Sequence, residues 1–245
     1  MRNYILSAWA AALIASPALA RDDWRAAAAA ALPDSGEMHL QMLVDGEADG
    51  FMRLGWQRDE DAGLIHFYDR TMWGSQEIFE TVEGSVNSET LAPVDIDITF
   101  FQQNAILTVN AAARNGVITG GRTFMRPYAG EQSAPIDIAV TDSLIMRGAA
   151  FFVSQTLPLS VGESVSFDWF APLAGIAESV TLTVADGGTI ETLSGSHDTI
   201  RIEVRGSSTE NDIYVTANDG VRQVVRIDVL GQPLRFEAIP APAGE

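Results

Sequence analysis

From Glu37 to Ala238 the apolar residues recur at every second position, and turn residues interrupt them at intervals of about ten. A period of two sends alternate side chains to opposite faces of an extended chain, so such a pattern folds as an antiparallel sheet with one face buried. Met38, Leu40, Met42 and Val44 share one face, and Met52, Leu54 and Trp56 follow the turn Asp45 to Gly50. Leu64 to Trp73 returns. After Pro93 the alternation is clearest: Val94, Ile96, Ile98 and Phe100 face one way, Asp95, Asp97 and Thr99 the other. Ile106 to Ala112 and Val117 to Met125 continue the meander, and the pair Gly120-Gly121 marks a bulge or bend that lets a sheet curl. Further strands carry Val165, Phe167 and Trp169, then Val180 to Val184, Ile200 to Val204, Ile213 and Val215, Val225 to Val229, and Leu234 to Ala238.

Two segments break this period. Trp24 to Leu32, behind Asp22-Asp23 and ahead of Pro33, reads as a short helix with an acidic first turn. Thr141-Asp142, followed by near-helical apolar spacing from Leu144 to Phe152 and stopped at Leu157-Pro158, reads as a second. The expected fold class is mainly β, a curled antiparallel sheet with two short helices, with a β-sandwich as the alternative. An outer-membrane barrel shares the period but needs lipid-facing apolar bands with aromatic girdles, whereas many turns are short at both ends, the acidic excess is large and the last residues are Ala-Gly-Glu.

The N-terminus has its own pattern. Arg2, the apolar stretch Tyr4 to Ile14, and Ala18-Leu19-Ala20 ahead of Arg21 match a cleavable secretory signal. The stretch is too short, and too broken by Ser16-Pro17, for a membrane anchor. The expected organisation is therefore a signal peptide over 1–20, a short helix and linker over 21–36, one antiparallel β domain over 37–240, and a frayed tail over 241–245, with the product in the periplasm.

Composition narrows the chemistry. There is no cysteine, hence no disulfide framework, thiol nucleophile or lipid-modified cysteine. All 15 basic residues are arginine, so a phosphate-loop lysine, a Schiff-base lysine and a Ser-Lys dyad are excluded. A net charge of -18 repels nucleic acid phosphates and anionic headgroups, so no nucleic acid partner is expected, and the chain is not expected to span a membrane.

The run Ser88-Glu89-Thr90-Leu91-Ala92-Pro93, the segment Thr141 to Arg147, the segment Leu157-Pro158-Leu159-Ser160-Val161-Gly162 and the closing strand ladder together resemble a family of secreted bacterial proteins of unknown function. That family is similar in expected architecture to the periplasmic lipoprotein carriers LolA and LolB. The resemblance implies a strongly curved half-barrel closed by helices over an apolar cavity. It maps no carrier ligand-contact residue onto a numbered position here.

Catalytic signatures are missing: no Gly-x-Ser-x-Gly elbow, no His-Glu-x-x-His and no glycine-rich phosphate loop occurs. His39, His66 and His197 are the only histidines, and His197-Asp198 is the one pair that general-base chemistry would use, with an unidentified serine. Glu77, Glu80 and Glu83 form one acidic cluster and Asp45, Glu47 and Asp49 another; neither has calcium-loop spacing, and solvated strand faces account for both. No catalytic residue, metal or cofactor is therefore expected. The aromatic residues Trp56, Phe67, Trp73, Phe79, Phe100, Phe124, Phe167 and Trp169 lie on successive strands, where a curled sheet would turn them toward a common concave side. They are either core or the wall of a cavity for a lipid or other apolar ligand. The function expected is non-catalytic binding of such a ligand; the alternatives are docking of an envelope protein partner or a purely structural role.

Overall fold

The computed structural model describes residues 24–240 apart from Asp219. The expected signal segment, the Asp22-Asp23 pair and the tail 241–245 lie outside the described residues. After α1 (Trp24–Ala31) the chain runs up and down through β1 (Ser35–Val44), β2 (Glu47–Asp59), β3 (Leu64–Trp73), β4 (Ile78–Asn87), β5 (Pro93–Gln102), β6 (Ala105–Arg114), β7 (Val117–Arg126) and β8 (Gly130–Ala139). Then come β9 (Leu144–Met146), α2 (Arg147–Val153) and a 3-10 turn (Ser154–Thr156). The return path is β10 (Ser164–Ala171), β11 (Ile176–Thr192), β12 (Gly195–Arg205), β13 (Asn211–Thr216), β14 (Val224–Val229) and β15 (Leu234–Ala238).

All these strands form one sheet in the order β8-β7-β6-β5-β4-β3-β2-β1-β15-β14-β13-β12-β11-β10-β9. The chain thus walks from the middle of the sheet to one edge, crosses to the other, and walks back until β15 pairs with β1. Every pair is antiparallel except β9 with β10, so the sheet is mixed. It is not closed: β8 and β9 are its edges. Residues 140–143 are all that join them, and so short a link holds Ala139 and Leu144 within roughly 18 Å. Edges that close after fifteen strands require a sheet curled around one face. A sandwich of two sheets does not form.

The two helices occupy the inner face. Phe152 of α2 stacks on Trp56 with ring centroids 5.7 Å apart and tilts against Phe67 at 5.9 Å. Gly148 and Gly84 leave the room that the Phe67 ring fills. Trp24 of α1 packs on Phe167 at 5.2 Å, and the Thr156 hydroxyl donates to the Ala28 carbonyl at 2.8 Å, tying the helices together. The Arg58 guanidinium donates to the Ala29 carbonyl at 2.5 Å in the last turn of α1, where carbonyls lack intrahelical partners and a cation is favoured. α1 is thus packed inside the core, with Trp24, Ala28 and Ala29 buried.

Three strands were not anticipated, and each breaks the pattern for a physical reason. β4 mixes Glu, Thr, Gly and Ser, with too few apolar residues to reveal an alternation. β8 contains Pro135, which only an edge strand tolerates because its missing N–H faces outward. β9 takes the first residues of the expected second helix: Leu144, Ile145 and Met146 are all buried, which suits a short strand and gives a helix no solvent face. α2 therefore begins at Arg147, without a side-chain cap.

Replacing Phe152 with alanine removes the ring that fills the curl, and the cost is expected to be about 3–5 kcal/mol in urea unfolding. A loss below about 1 kcal/mol would show that α2 is not packed inside the sheet.

Candidate functional site

Pairing registers carry the inner-face side chains across the sheet in rows. One row reads Trp56, Phe67, Gly84, Ile96, Ala111, Gly120 and Ile136, and all of it but Gly120 is buried. The next reads Leu54, Asp69, Val82, Ile98 and Val109, and the one beyond it Met52, Thr71, Glu80, Phe100, Leu107 and Phe124. Seven of the eight aromatic residues singled out above are on this inner side. Trp56, Phe67, Phe167 and Trp169 are buried core, while Trp73, Phe100 and Phe124 are half-buried toward one end. Phe79 is on the opposite face with 44% of its surface exposed, because it neighbours the inward Ile78 and Glu80 on β4.

Between β2–β5 and α2 lies a cavity of about 170 Å³, walled by Met52, Leu54, Val82, Ile98, Phe151 and Leu173 among others. Of the aromatic candidates, Phe67 alone lines it. Three charged groups share it: Asp69 from β3, Glu80 from β4 and Arg147 from the first turn of α2. Each is half-buried and lines the cavity. The Thr71 hydroxyl donates to Asp69 at 2.7 Å, but among the described residues Glu80 accepts no hydrogen bond and Arg147 neither donates one nor forms an ion pair. Arg147 instead lies 5.3 Å from the centre of the Trp169 ring, whose indole N–H is held by Glu178 at 2.8 Å.

These groups set one another's charge. Burial pushes the Asp69 carboxyl up to about 6, against the pulls of Thr71, Arg70 and Arg147. Burial pushes Glu80 up to about 7, with the charge of Asp69 adding to the rise and Arg147 opposing it. Burial lowers Arg147, opposed by Glu178, Glu80 and Asp69. The result is a small, apolar-walled chamber with a guanidinium and two protonatable carboxyls free to meet a polar group. Sequence reasoning saw Glu80 only within an acidic cluster; that Glu80 and Glu83 are three apart on a strand, and so face opposite ways, was the available signal. Asp69 and Arg147 were not singled out.

Other candidates do not assemble. His197 and Asp198 are neighbours on β12 and point to opposite faces; the imidazole Nε2 meets the Ser194 hydroxyl at 2.9 Å in an exposed hairpin, while Asp198 accepts from Thr189 at 2.6 Å. His39 bonds Glu37 on the outer face. The third histidine comes closer to a catalytic arrangement, since His66 Nδ1 lies 3.3 Å from Ser85 Oγ and its Nε2 3.9 Å from Asp59. Ser85 is buried, however, and its proton goes to Asp95 at 2.8 Å, which leaves no accessible activated hydroxyl. Glu77 sits in a turn, Glu83 pairs with Arg70 on the outer face, and Asp49 accepts from Trp73 and Ser75.

A carboxyl whose native pKa lies above its unfolded value binds its proton more tightly when folded, so stability falls as pH rises from about 4 to 7, by up to about 1.4 kcal/mol per unit per group. Glu80→Gln is expected to flatten that decline in urea unfolding and to exceed the parent in stability above about pH 7. Equal slopes would mean that Glu80 ionises as an ordinary surface carboxyl. Compared with protein-family models, with curated proteins and with solved structures, the chain matches none of them.

Proposed function

We propose that this protein is an exported, periplasmic, non-catalytic binder that takes the apolar end of a lipid or acyl chain into the inner face of its curved sheet. The observation that carries the reading is the chamber between β2–β5 and α2, with apolar walls and the unpaired Arg147 and Glu80. Apolar surface of this shape gains by excluding water, and no covalent step is needed. Its volume is close to one that takes a benzene-sized guest and below the about 300–1,000 Å³ of sites for drug-sized ligands. The chamber therefore suits one end of an extended molecule. Phe100, Leu107 and Phe124, in direct cross-strand register with Glu80, continue the apolar inner face for the remainder. Arg147 and the two carboxyls supply polar partners for an oxygen-bearing group. Export rests on the pattern from Arg2 to Ala20.

Native mass spectrometry with lipid extraction, on protein purified gently from a bacterial periplasm, is the test. A stoichiometric apolar adduct is expected, and Ile98→Phe, which fills the chamber, is expected to weaken rebinding of a fluorescent fatty acid at least about tenfold while leaving the melting curve cooperative. A clean apo mass with no fatty acid or phospholipid binding would overturn the reading and move the weight to protein docking.

A further inference from the structure

Six of the twelve exposed large apolar side chains among the described residues form a single line. Phe51 pairs with Met72, Met72 with Phe79, Phe79 with Phe101, Phe101 with Ile106, and Ile106 with Met125, so β2 to β7 each contribute one residue at the same level of the outer face. Their exposures run from 36% to 48%. Five strand spacings make the stripe roughly 24 Å long. Two residues farther along every strand the outer face is polar, with Arg53, Arg70, Thr81, Thr99, Thr108 and Thr123 in register.

The stripe lies two residues from the hairpin turns 74–77, 103–104 and 127–129, which carry Glu77 as their one charge in a chain of net charge -18. Tyr128 at one of these tips is fully exposed. At the same end each stripe residue also has an apolar sequence neighbour pointing inward, such as Trp73 beside Met72 and Phe100 beside Phe101, with the Arg126 guanidinium laid over the Phe124 ring at 4.6 Å. We propose that this rim enters the interfacial layer of a zwitterionic lipid bilayer, tips first.

Three features select that occupant. A rigid partner covers one face of a sheet, whereas lipid flows around a rim and wets both. At about two-fifths exposure the six side chains offer roughly 400–600 Å², short of the about 800 Å² per partner of a stable dimer. The depth from the tips to the stripe, roughly 7 Å, matches the about 5–10 Å reached by interfacial segments. The neighbouring β1–β2 hairpin carries Asp45, Glu47 and Asp49, which disfavours anionic headgroups. This inference goes beyond the chamber and stands without it.

Flotation with phosphatidylcholine vesicles tests it, using the exported protein and the double variant Phe79→Ser/Phe101→Ser. Both sites are solvent-facing, so the variant is expected to melt as the parent does; it is expected to lose at least about tenfold in vesicle affinity. Because the two forms are identical elsewhere, any contribution from residues 4–14 is equal in both. Weaker flotation with phosphatidylglycerol vesicles is also expected. The proposal is overturned if the parent does not float with phosphatidylcholine, if the double variant floats equally well, if phosphatidylglycerol is preferred, or if sedimentation without lipid finds a parent dimer that the variant abolishes, which would make a second copy the occupant.

Discussion

The curl of the sheet depends on one ring. Phe152 stands between Trp56 and Phe67, two buried neighbours in one cross-strand row of the inner face. An open sheet of fifteen strands has no intrinsic reason to stop curling at a given radius. Here the radius is that of a helix carrying an aromatic side chain, and the glycines at 36, 84 and 148 set how closely the rings approach the backbone. Once Phe152 is seated, Arg147 five residues earlier on α2 is delivered over the chamber, and β9 just before it is delivered to the sheet edge beside β10.

That chain of placement explains the chamber's chemistry. Charged residues on the inner face are expensive, and Asp69 and Glu80 would ordinarily be matched by ion pairs within contact distance. They are not so matched. Among the described residues Thr71 alone bonds the Asp69 carboxyl, and Arg147 lies against the face of Trp169. The carboxyls meet the cost by holding protons above the usual carboxylate range, so the interior is polar in hydrogen-bonding capacity more than in net charge.

The strands with strict alternation, such as Pro93–Gln102, are legible because one face is dry and the other wet through the middle of the strand, where Ile96 and Ile98 are buried and Asp95, Asp97 and Thr99 are exposed. β4 and β8 are not, since Gly84, Ser85 and Pro135 fit their sites through neighbouring strands that a single sequence does not display. The aromatic set does not share one face, and alternation along β4 separates Phe79 from Ile78 and Glu80. The same rule, applied to the apolar doublets at 51–52, 72–73, 78–79, 100–101, 106–107 and 124–125, marks where both faces of the sheet turn apolar together. Arg147 is hidden because its place needs α2 to lie across β2 and β3, a long-range contact with no local signature.

The seam between β8 and β9 has a mechanical meaning. In a closed barrel the bore is fixed by strand number and shear, and widening it would break ladder hydrogen bonds. This sheet has no such hoop. Across the gap, β7 is held to the turn after β10 by the Arg122 guanidinium on the Leu173 carbonyl at 3.0 Å, and Leu173 is also part of the chamber wall. The seam is therefore bridged by side-chain and backbone contacts and a four-residue strap, where a closed barrel would have a continuous ladder.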